Sequence, residues 1–281
     1  MIVTALRPGI AFADVVPING CLNASQHDWI VYGGNWTASG HGTCGRANIN
    51  GAWIGSKPFT VTSGATLTFW ATSDTGGCCG SVTPSVNNWD SATRNDLSAA
   101  SGLSGAFQSF TRDLSAYAGA HISIFFTGTS GAVSDISITN ATNAYFGDPR
   151  KIGGAFGAGL SPFVADSYTS WASTDGHNAN GALQFNNQAC CYTRVWSYPF
   201  TSQGETWSFW AKGGNNVTGN LYLADLTQGA YYIMLTYSGV QPASWSVQNF
   251  NLAGFSGHDV AWFWNVAVNN QGAYLVDDLC P

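Results

Sequence analysis

Charged side chains are scarce in this 281-residue sequence: they make up 9% of it, against about a quarter in typical soluble domains. The only glutamate is Glu205, and the only lysines are Lys57, Lys151 and Lys212. Amphipathic helices are built largely from such residues, so the sequence offers little material for them. The net charge is −6 and no basic patch occurs. Nucleic acid is therefore not an expected partner.

Long apolar runs are also missing. No stretch of 18 apolar residues occurs, so no segment inserted in a membrane is predicted. The N-terminal residues 1–16 lack a charged start followed by a continuous apolar stretch, and Arg7-Pro8-Gly9 interrupts them, so no secretory signal is predicted. We expect a protein made without secretion by that route, and the alternative is that a leader was removed.

Cysteine is present in an odd number, which leaves at least one thiol free or paired between chains. The seven are Cys21, Cys44, Cys78, Cys79, Cys190, Cys191 and Cys280. A disulfide between neighbours needs a strained peptide, so the two adjacent pairs are expected to find partners elsewhere in their own domain. Cys280 with Cys190 or Cys191 is one such pairing.

The sequence contains an internal repeat. TLTFWA at residues 66–71 recurs as TWSFWA at 206–211, and further landmarks recur in the same order at offsets of 135 to 141 residues. They pair Trp36 with Trp171, Gly40-His41 with Gly176-His177, and Pro58-Phe59-Thr60 with Pro199-Phe200-Thr201. A period near 140 residues is too long for a solenoid unit, so each copy is predicted to be a domain.

Both copies have the pattern of β-structure. Apolar and polar residues alternate in 122–127, and two apolar sets alternate in 260–265, with Gly- and Asn-rich turns between such segments. We expect half-buried strands here. The predicted fold is all-β: two tandem β-sandwich (jelly-roll) domains with an N-terminal arm. The expected boundaries are an arm at 1–18, domains at 19–141 and 163–281, and a linker at 142–162.

The repeated FWA strand separates its side chains between two faces. Leu67, Phe69 and Ala71 share one face, and Thr66, Thr68 and Trp70 share the other. If the first face is the core, Trp70 and its counterpart Trp210 lie on a polar face where a sugar ring can stack. The alternative is that loops carrying Trp36 and Trp171 cover them as a second small core.

These motifs resemble those of the β-jelly-roll carbohydrate-binding modules. The resemblance rests on T-x-S/T-F-W-A, the strand SWSVQNF at 244–250, and a closing strand ending in Asp-Asp. It covers most of Phe163 to Pro281, whereas GGCCGSVTPSVNNWDSATRND in the first copy departs from it. It implies glycan binding and a structural calcium ion held by Asp277 or Asp278, with Asp135 as the counterpart in the first copy. A strand-capping or solvated Asp is the alternative.

Aromatic residues in loops are the further ligand candidates, because a packing role is harder to justify there. They are Trp89 with its neighbours Asn88 and Asp90, and Tyr192, Trp196 and Tyr198. A loop tryptophan can equally anchor an interface between subunits.

No catalytic pattern is found. A glycosidase needs two carboxyl groups that flank one bond, and adjacent strand residues such as Asp277 and Asp278 are expected to point opposite ways. No G-x-S-x-G serine motif occurs. His41, Cys44 and the pair Cys78-Cys79 offer one His and three Cys, but neighbouring cysteines chelate a zinc ion poorly. The recurrence of His41 as His177, without a Cys three residues later, indicates a turn or packing role.

These observations predict a non-catalytic surface protein with domains for adhesion to cell-surface carbohydrate. The preferred hypothesis is a virion component, such as a bacteriophage decoration, fibre or tail-associated protein, assembled in the host cytoplasm with other subunits or as a homo-oligomer. The alternatives are a secreted or cell-surface glycan-binding protein or filament subunit, and a glycoside hydrolase with an unrecognised site.

Overall fold

The computed structural model describes residues 20–22, 28–74, 79–143, 156, 160, 163–166, 168–178, 181–187, 192–269 and 272–281. Within these residues the secondary structure is 22 strands and two 3-10 helices, which confirms the all-β prediction. No helix in this part of the chain is long and apolar enough to cross a bilayer. The predicted arm and residues 144–155 of the predicted linker lie outside the described residues.

The strands of the first repeat lie between residues 29 and 143, with one 3-10 helix at Ser115–Tyr117. They are β1 (Trp29–Tyr32), β2 (Asn35–Thr37), β3 (Arg46–Asn48), β4 (Trp53–Ser56), β5 (Phe59–Ser73), β6 (Gly80–Asn88), β7 (Thr93–Asp96), β8 (Ala100–Leu103), β9 (Gln108–Asp113), β10 (His121–Thr129) and β11 (Gly131–Asn143).

The strands of the second repeat lie between residues 163 and 280, with a 3-10 helix at Ala253–Phe255. They are β12 (Phe163–Ala165), β13 (Thr169–Ala172), β14 (Ala182–Phe185), β15 (Thr193–Ser197), β16 (Phe200–Thr201), β17 (Thr206–Lys212), β18 (Val217–Asp225), β19 (Ala230–Gly239), β20 (Ser246–Asn251), β21 (Asp259–Val268) and β22 (Tyr274–Cys280).

The first repeat, called the first unit below, folds its sheet onto itself. The start of the long strand β5 pairs with β10, and the rest of β5 pairs with β11 and β9. Strands β1, β4, β10 and β6 therefore form one layer, and β2, β3, β11, β5 and β9 form the other. All strand pairs are antiparallel, as in a sandwich of sequential hairpins.

The second repeat, the second unit, has the same arrangement in two separate sheets. One sheet has the order β12-β15-β21-β18-β19, and the other has the order β13-β14-β22-β17-β20. The short strand β16 pairs with β21 just as the start of β5 pairs with β10. The duplication read from the sequence is therefore a duplication of topology.

Alternation along the inner strands builds three apolar layers. In β10, Phe126 belongs to the core of the first unit and Phe125 faces the opposite way. In β21, Trp262 and Trp264 belong to the core of the second unit, and Phe263 joins Phe125 in a third cluster. That cluster also contains Ile30, Trp53, Trp89, Val164, Trp196, Tyr222, Ala224 and Leu226.

The expectation of half-buried strands is wrong for β10 and β21. Residues 122–126 of β10 and 260–264 of β21 are buried without a break, so both faces of each strand are covered there, because the two units pack back to back through the third cluster. Hydrogen bonds cross the same interface: the hydroxyl of Tyr32 lies 3.1 Å from that of Tyr222 and accepts from Asn265 Nδ2 at 3.0 Å. The molecule is thus a stack of four β-layers.

One disulfide joins two described cysteines, Cys21 and Cys44, within the first unit. It fastens residues 20–22 beside the loop between β2 and β3, where Gly45 N–H donates to the Cys21 carbonyl at 2.8 Å. Cys78, Cys190 and Cys191 lie outside the described residues, so the pairing predicted for Cys280 stays a prediction. Cys280 is exposed, with its Sγ 3.5 Å from Ser208 Oγ.

Candidate functional site

The repeated FWA strand has the predicted two faces. Leu67 and Phe69 are fully buried in the core of the first unit, and Trp70 lies half-buried on the outer face of β5. On β17, Phe209 is fully buried, and Trp210 is half-buried on the outer face. Both indoles therefore lie on the outermost layers of the four-layer stack.

A histidine covers each of these indoles. The imidazole of His41 stacks on Trp70 with ring centroids 3.6 Å apart and planes within 10°, and that of His177 stacks on Trp210 at 3.9 Å and 11°. Each histidine is carried by a loop between equivalent strands, β2–β3 or β13–β14. The packing role expected for the repeated histidine is confirmed.

The loops that cover the indoles are those expected, but Trp36 and Trp171 are not the covering side chains. Trp36 lies at the edge of the core of the first unit, and its Nε1 donates to the Leu22 carbonyl. Trp171 donates in the same way to the Phe156 carbonyl. The side chains of Trp36 and Trp171 share a face with core residues across their ladders, because they are directly opposite Ala47 and Leu183.

An aspartate holds each covering histidine. Asp135 Oδ2 accepts from His41 Nδ1 at 3.1 Å, and Asp278 Oδ2 accepts from His177 Nδ1 at 2.9 Å. Both aspartates have a positive φ, 46° and 48°, at a register shift in their ladders. Asp tolerates this left-handed conformation better than most residues do, so a bulge there can re-aim its carboxylate.

This bulge corrects the expectation that Asp277 and Asp278 point opposite ways. Asp277 Oδ2 accepts the backbone N–H of His177 at 2.6 Å, while Asp278 Oδ2 accepts from the imidazole of the same residue. The extra residue at the bulge breaks the two-residue alternation that the expectation assumed. In the first unit, Ser134 Oγ takes the place of the Asp277 carboxylate and accepts from His41 N–H at 3.0 Å.

The predicted calcium site does not fit these side chains. Calcium requires six to eight oxygen ligands, whereas the carboxylates of Asp135, Asp277 and Asp278 already accept from protein N–H groups. No cluster of three or more His, Cys, Asp or Glu side chains suited to a metal occurs among the described residues. Burial raises the pKa of Asp277, partly offset by the backbone N–H groups that it accepts.

The second unit adds aromatic and charged groups around its indole. Trp245 meets His177 edge to face at 5.8 Å, and Lys212 Nζ lies 4.7 Å from the centre of the Trp245 ring. Lys212 Nζ also forms an ion pair with Asp175 Oδ1 at 2.5 Å, and the Asp175 side chain is 57% exposed. Val247, directly opposite Trp210 on β20, is 43% exposed. We call these six residues, Trp210, His177, Trp245, Lys212, Asp175 and Val247, the Trp210 surface.

The corresponding region of the first unit is simpler. Phe107 takes the place of Trp245 and meets His41 edge to face at 5.9 Å. Ser109, which is exposed, lies directly opposite Trp70. These four residues, Trp70, His41, Phe107 and Ser109, are called the Trp70 surface.

Two of the predicted loop candidates are interface residues. Trp89 and Trp196 are only 3% and 5% exposed, and both belong to the cluster between the units. Trp89 Nε1 donates to Ser123 Oγ at 3.0 Å, and Trp196 stacks on Phe263 at 3.8 Å. Because their rings are enclosed, the prediction of sugar platforms at Trp89 and Trp196 is wrong, and the interface-anchor alternative applies within the chain.

The other loop candidates surround that interface. Tyr198 is half-buried, and burial together with the charge of Asp90 raises its pKa to about 12. Asp90 receives the backbone N–H of His121 at 2.9 Å, and Asn88 Oδ1 receives that of Asp90 at 3.1 Å. These polar groups form a turn at the rim of the interface. Tyr192 is 50% exposed, immediately precedes β15, and is a member of neither surface.

The comparisons with known proteins find likenesses among solved structures only. The chain is similar to the tandem CBM22-1–CBM22-2 domain of Xyn10C from Paenibacillus barcinonensis, with 13% identity, coverage of 95% of this chain and 96% of that chain, and a TM-score of 0.35. It is also similar to TmCBM61 in complex with β-1,4-galactotriose, with 14% identity, coverage of 47% and 94%, and a TM-score of 0.36.

A third similar structure is the glycoside hydrolase domain of Endo-D from Streptococcus pneumoniae R6, with 9% identity, coverage of 89% and 37%, and a TM-score of 0.27. No protein-family model and no curated protein matches the sequence. These likenesses assign no family to the chain, so its own side chains must indicate a function.

Proposed function

We propose that this protein is a non-catalytic carbohydrate-binding protein whose principal binding site is the Trp210 surface. The observation that carries the proposal is the placement of two indoles, Trp210 and Trp245, on an outer sheet face beside the partly exposed pair Lys212 and Asp175. Aromatic rings stack on the C–H faces of sugars, and fixed polar groups bind the hydroxyls.

The surface has the chemistry of a site for a neutral ligand. Lys212 and Asp175 compensate each other's charge at 2.5 Å, so neither an anionic nor a cationic ligand is favoured overall. Val247 leaves an apolar patch beside the indole that the core of the second unit does not use. Asp278 Oδ2 accepts from both His177 Nδ1 and Asn178 Nδ2 and so holds the His177 loop in place. The surface is therefore formed before a ligand arrives, which lowers the entropic cost of binding.

The same hydrogen bonds are the reason for proposing a binding rather than a hydrolytic role. Asp277 lies directly opposite Trp210 in the ladder of β17 and β22, and Asp278 follows it. Both carboxylates accept hydrogen bonds from the His177 loop. Asp277 is fully buried. Glycoside hydrolysis requires two carboxyl groups that flank a bond of the bound sugar, and a buried carboxylate bonded to backbone N–H groups is not placed for that role.

We further propose that the chain acts as a structural subunit of an assembly displayed to glycans, such as a virion. The apolar interface between the units supports this role, because it makes the chain a rigid spacer instead of two tethered modules.

Negative-stain electron microscopy of the purified chain is expected to show ordered oligomers. Single, unassociated chains at all concentrations would contradict the assembly role and leave glycan binding in place.

Trp210→Ala is expected to weaken glycan binding by roughly 30-fold, equivalent to about 2 kcal/mol, because it removes the indole on which His177 stacks and, through His177, the support of Trp245. The probes are soluble neutral polysaccharides, including xylan, β-1,4-galactan, mannan and mixed-linkage β-glucan, measured by affinity electrophoresis and calorimetry. Tyr192→Ala, which changes an exposed aromatic outside the surface, is the control and is expected to bind as the wild type does.

A second variant protects this test against misfolding, because Trp210 is half-buried. Val247→Arg leaves Trp210 in place and puts a long charged side chain across the apolar patch beside it, so binding should fall while the thermal unfolding midpoint stays near that of the wild type. If neither variant changes binding, the Trp210 surface is not the site. If the wild type retains none of the polysaccharides, the glycan-binding proposal itself is wrong.

A further inference from the structure

We infer that the chain bridges two separate carbohydrate chains, one on each outermost face of the four-layer stack. This inference rests on the proposed function and extends it to the first unit. It follows from where the interface lies: the units pack through the layers that contain β10 and β21, which leaves the layers that contain β5 and β17 outermost. Trp70 and Trp210 lie on the outer faces of those two strands.

The two faces point away from each other. Side chains of β10 alternate between the core of the first unit and the interface, and those of β21 alternate between the interface and the core of the second unit. A path from one indole to the other therefore crosses three sheet-to-sheet spacings of about 10 Å each, roughly 30 Å in total. A single extended polysaccharide cannot lie on both faces at once, so two occupied surfaces mean two bound chains.

The Trp70 surface keeps the parts of the site that organise the indole. Its His41 stack, Asp135 contact and edge-on Phe107 match those of His177, Asp278 and Trp245 within a few tenths of an ångström. It differs where Lys212 would be, because Thr72 occupies that strand position, is buried, and donates to the Ser104 carbonyl.

The polar groups beside Trp70 are consequently hydroxyls. Thr68 Oγ1 lies 3.2 Å from Thr111 Oγ1, and Thr66 Oγ1 lies 2.8 Å from Thr139 Oγ1, on the same exposed face. With a buried threonine in place of Lys212 and a phenyl ring in place of an indole, the Trp70 surface offers less aromatic area. We expect it to bind the same class of neutral glycan more weakly than the Trp210 surface does.

Two matched variants test the inference, because Ser109 and Val247 are opposite the two indoles in equivalent registers. The ligand is an oligosaccharide prepared from the polysaccharide of the panel that binds most tightly. Calorimetry is expected to show two of these oligosaccharides bound per wild-type chain. Ser109→Arg and Val247→Arg should each bind one. The wild type should also precipitate the intact polysaccharide, and each single variant should still bind it without precipitating it.

Precipitation is measured at protein concentrations at which light scattering gives the mass of a single chain. Under these conditions an oligomer of the protein cannot supply the second binding site. At concentrations where the protein self-associates, the inference is tested by the number of oligosaccharides bound per chain. One ligand per wild-type chain, or loss of all binding in Val247→Arg, would overturn the bridging inference while leaving the Trp210 surface as a single site. Absence of any binding by the wild type would instead contradict the proposed function.

Discussion

Trp196→Ala is expected to lower the free energy of unfolding by about 3–5 kcal/mol, the usual cost of removing a buried Trp from a core. Trp196 is 5% exposed, stacks on Phe263 at 3.8 Å, and meets Trp53 of the other unit edge to face at 4.3 Å. The alanine leaves a cavity between two rigid sheets, which cannot close around it without losing their hydrogen-bonded registers. The loss of unfolding free energy should therefore lie near the upper end of this range.

The variant should also change how the protein unfolds. With the apolar interface intact, we expect the two units to unfold together in one calorimetric transition. With Trp196 removed, two transitions are expected because each unit keeps its own core. Tyr192→Ala, four residues away and 50% exposed, is the matched control and should shift stability by no more than about 0.5 kcal/mol. A variant as stable as the wild type would show that the units do not pack through this cluster.

The strand pattern could be predicted from sequence because it is local. In TLTFWA, the spacing of Leu67 and Phe69 from Trp70 is enough to assign the two faces of the strand, and the structure places them as expected. The duplication was visible for the same reason, because each landmark is a short string with its own turn and strand chemistry.

The interface between the units could not be predicted from that pattern. A strand buried on both faces has no alternation, and the run VAWFWNVAV at 260–268 has this character, but nothing local identifies what covers its second face. That cover comes from β4 and β10 of the other unit, through Trp53 and Phe125. The sequence predicts ligand binding for Trp89 and Trp196 because it places them in loops, whereas the residues that cover them lie elsewhere in the chain.

The candidate site was predicted in part. Trp70 and Trp210 follow from strand periodicity, but Trp245 and Lys212 reach the same surface only through the pairing of β17 with β20. Trp245 lies within SWSVQNF, a motif that supports the resemblance but does not by itself mark a ligand-binding residue. The one local signal for the histidines was the recurrence of Gly-His in both copies. A Cβ on Gly40 would clash with the Gly45 carbonyl oxygen, so the glycine lets the His41 loop close over the sheet.

Replacing Cys21 and Cys44 together by alanine is expected to destabilise the first unit by about 2–4 kcal/mol, as expected for opening a loop of this size. The two cysteines are separated by 23 residues, and the bond restricts the unfolded chain between them. Leu22, fully buried beside Cys21, accepts from Trp36 Nε1, so the disulfide also holds an apolar anchor at the sheet edge.

The same bond supports the Trp70 surface and not the Trp210 surface. Cys44 N–H donates to the His41 carbonyl at 3.0 Å, which ties the disulfide to the loop that covers Trp70. The second copy has Asn180 at the position of Cys44, so its loop depends on the hydrogen bonds of Asp277 and Asp278 instead. Glycan binding at the Trp70 surface should therefore weaken in the double variant, while binding at the Trp210 surface should not change.

Calorimetric unfolding and ligand counting on the double variant measure both effects. The single unfolding transition is expected to move to lower temperature, because the interface between the units is intact and they still unfold together, and the number of oligosaccharides per chain should fall toward one. Ser109→Arg provides the comparison, because it blocks the Trp70 surface from outside without touching the disulfide or the core. Unchanged stability would mean that residues 20–22 stay docked without the bond. Weaker binding at the Trp210 surface would mean that the two loops are coupled across the stack.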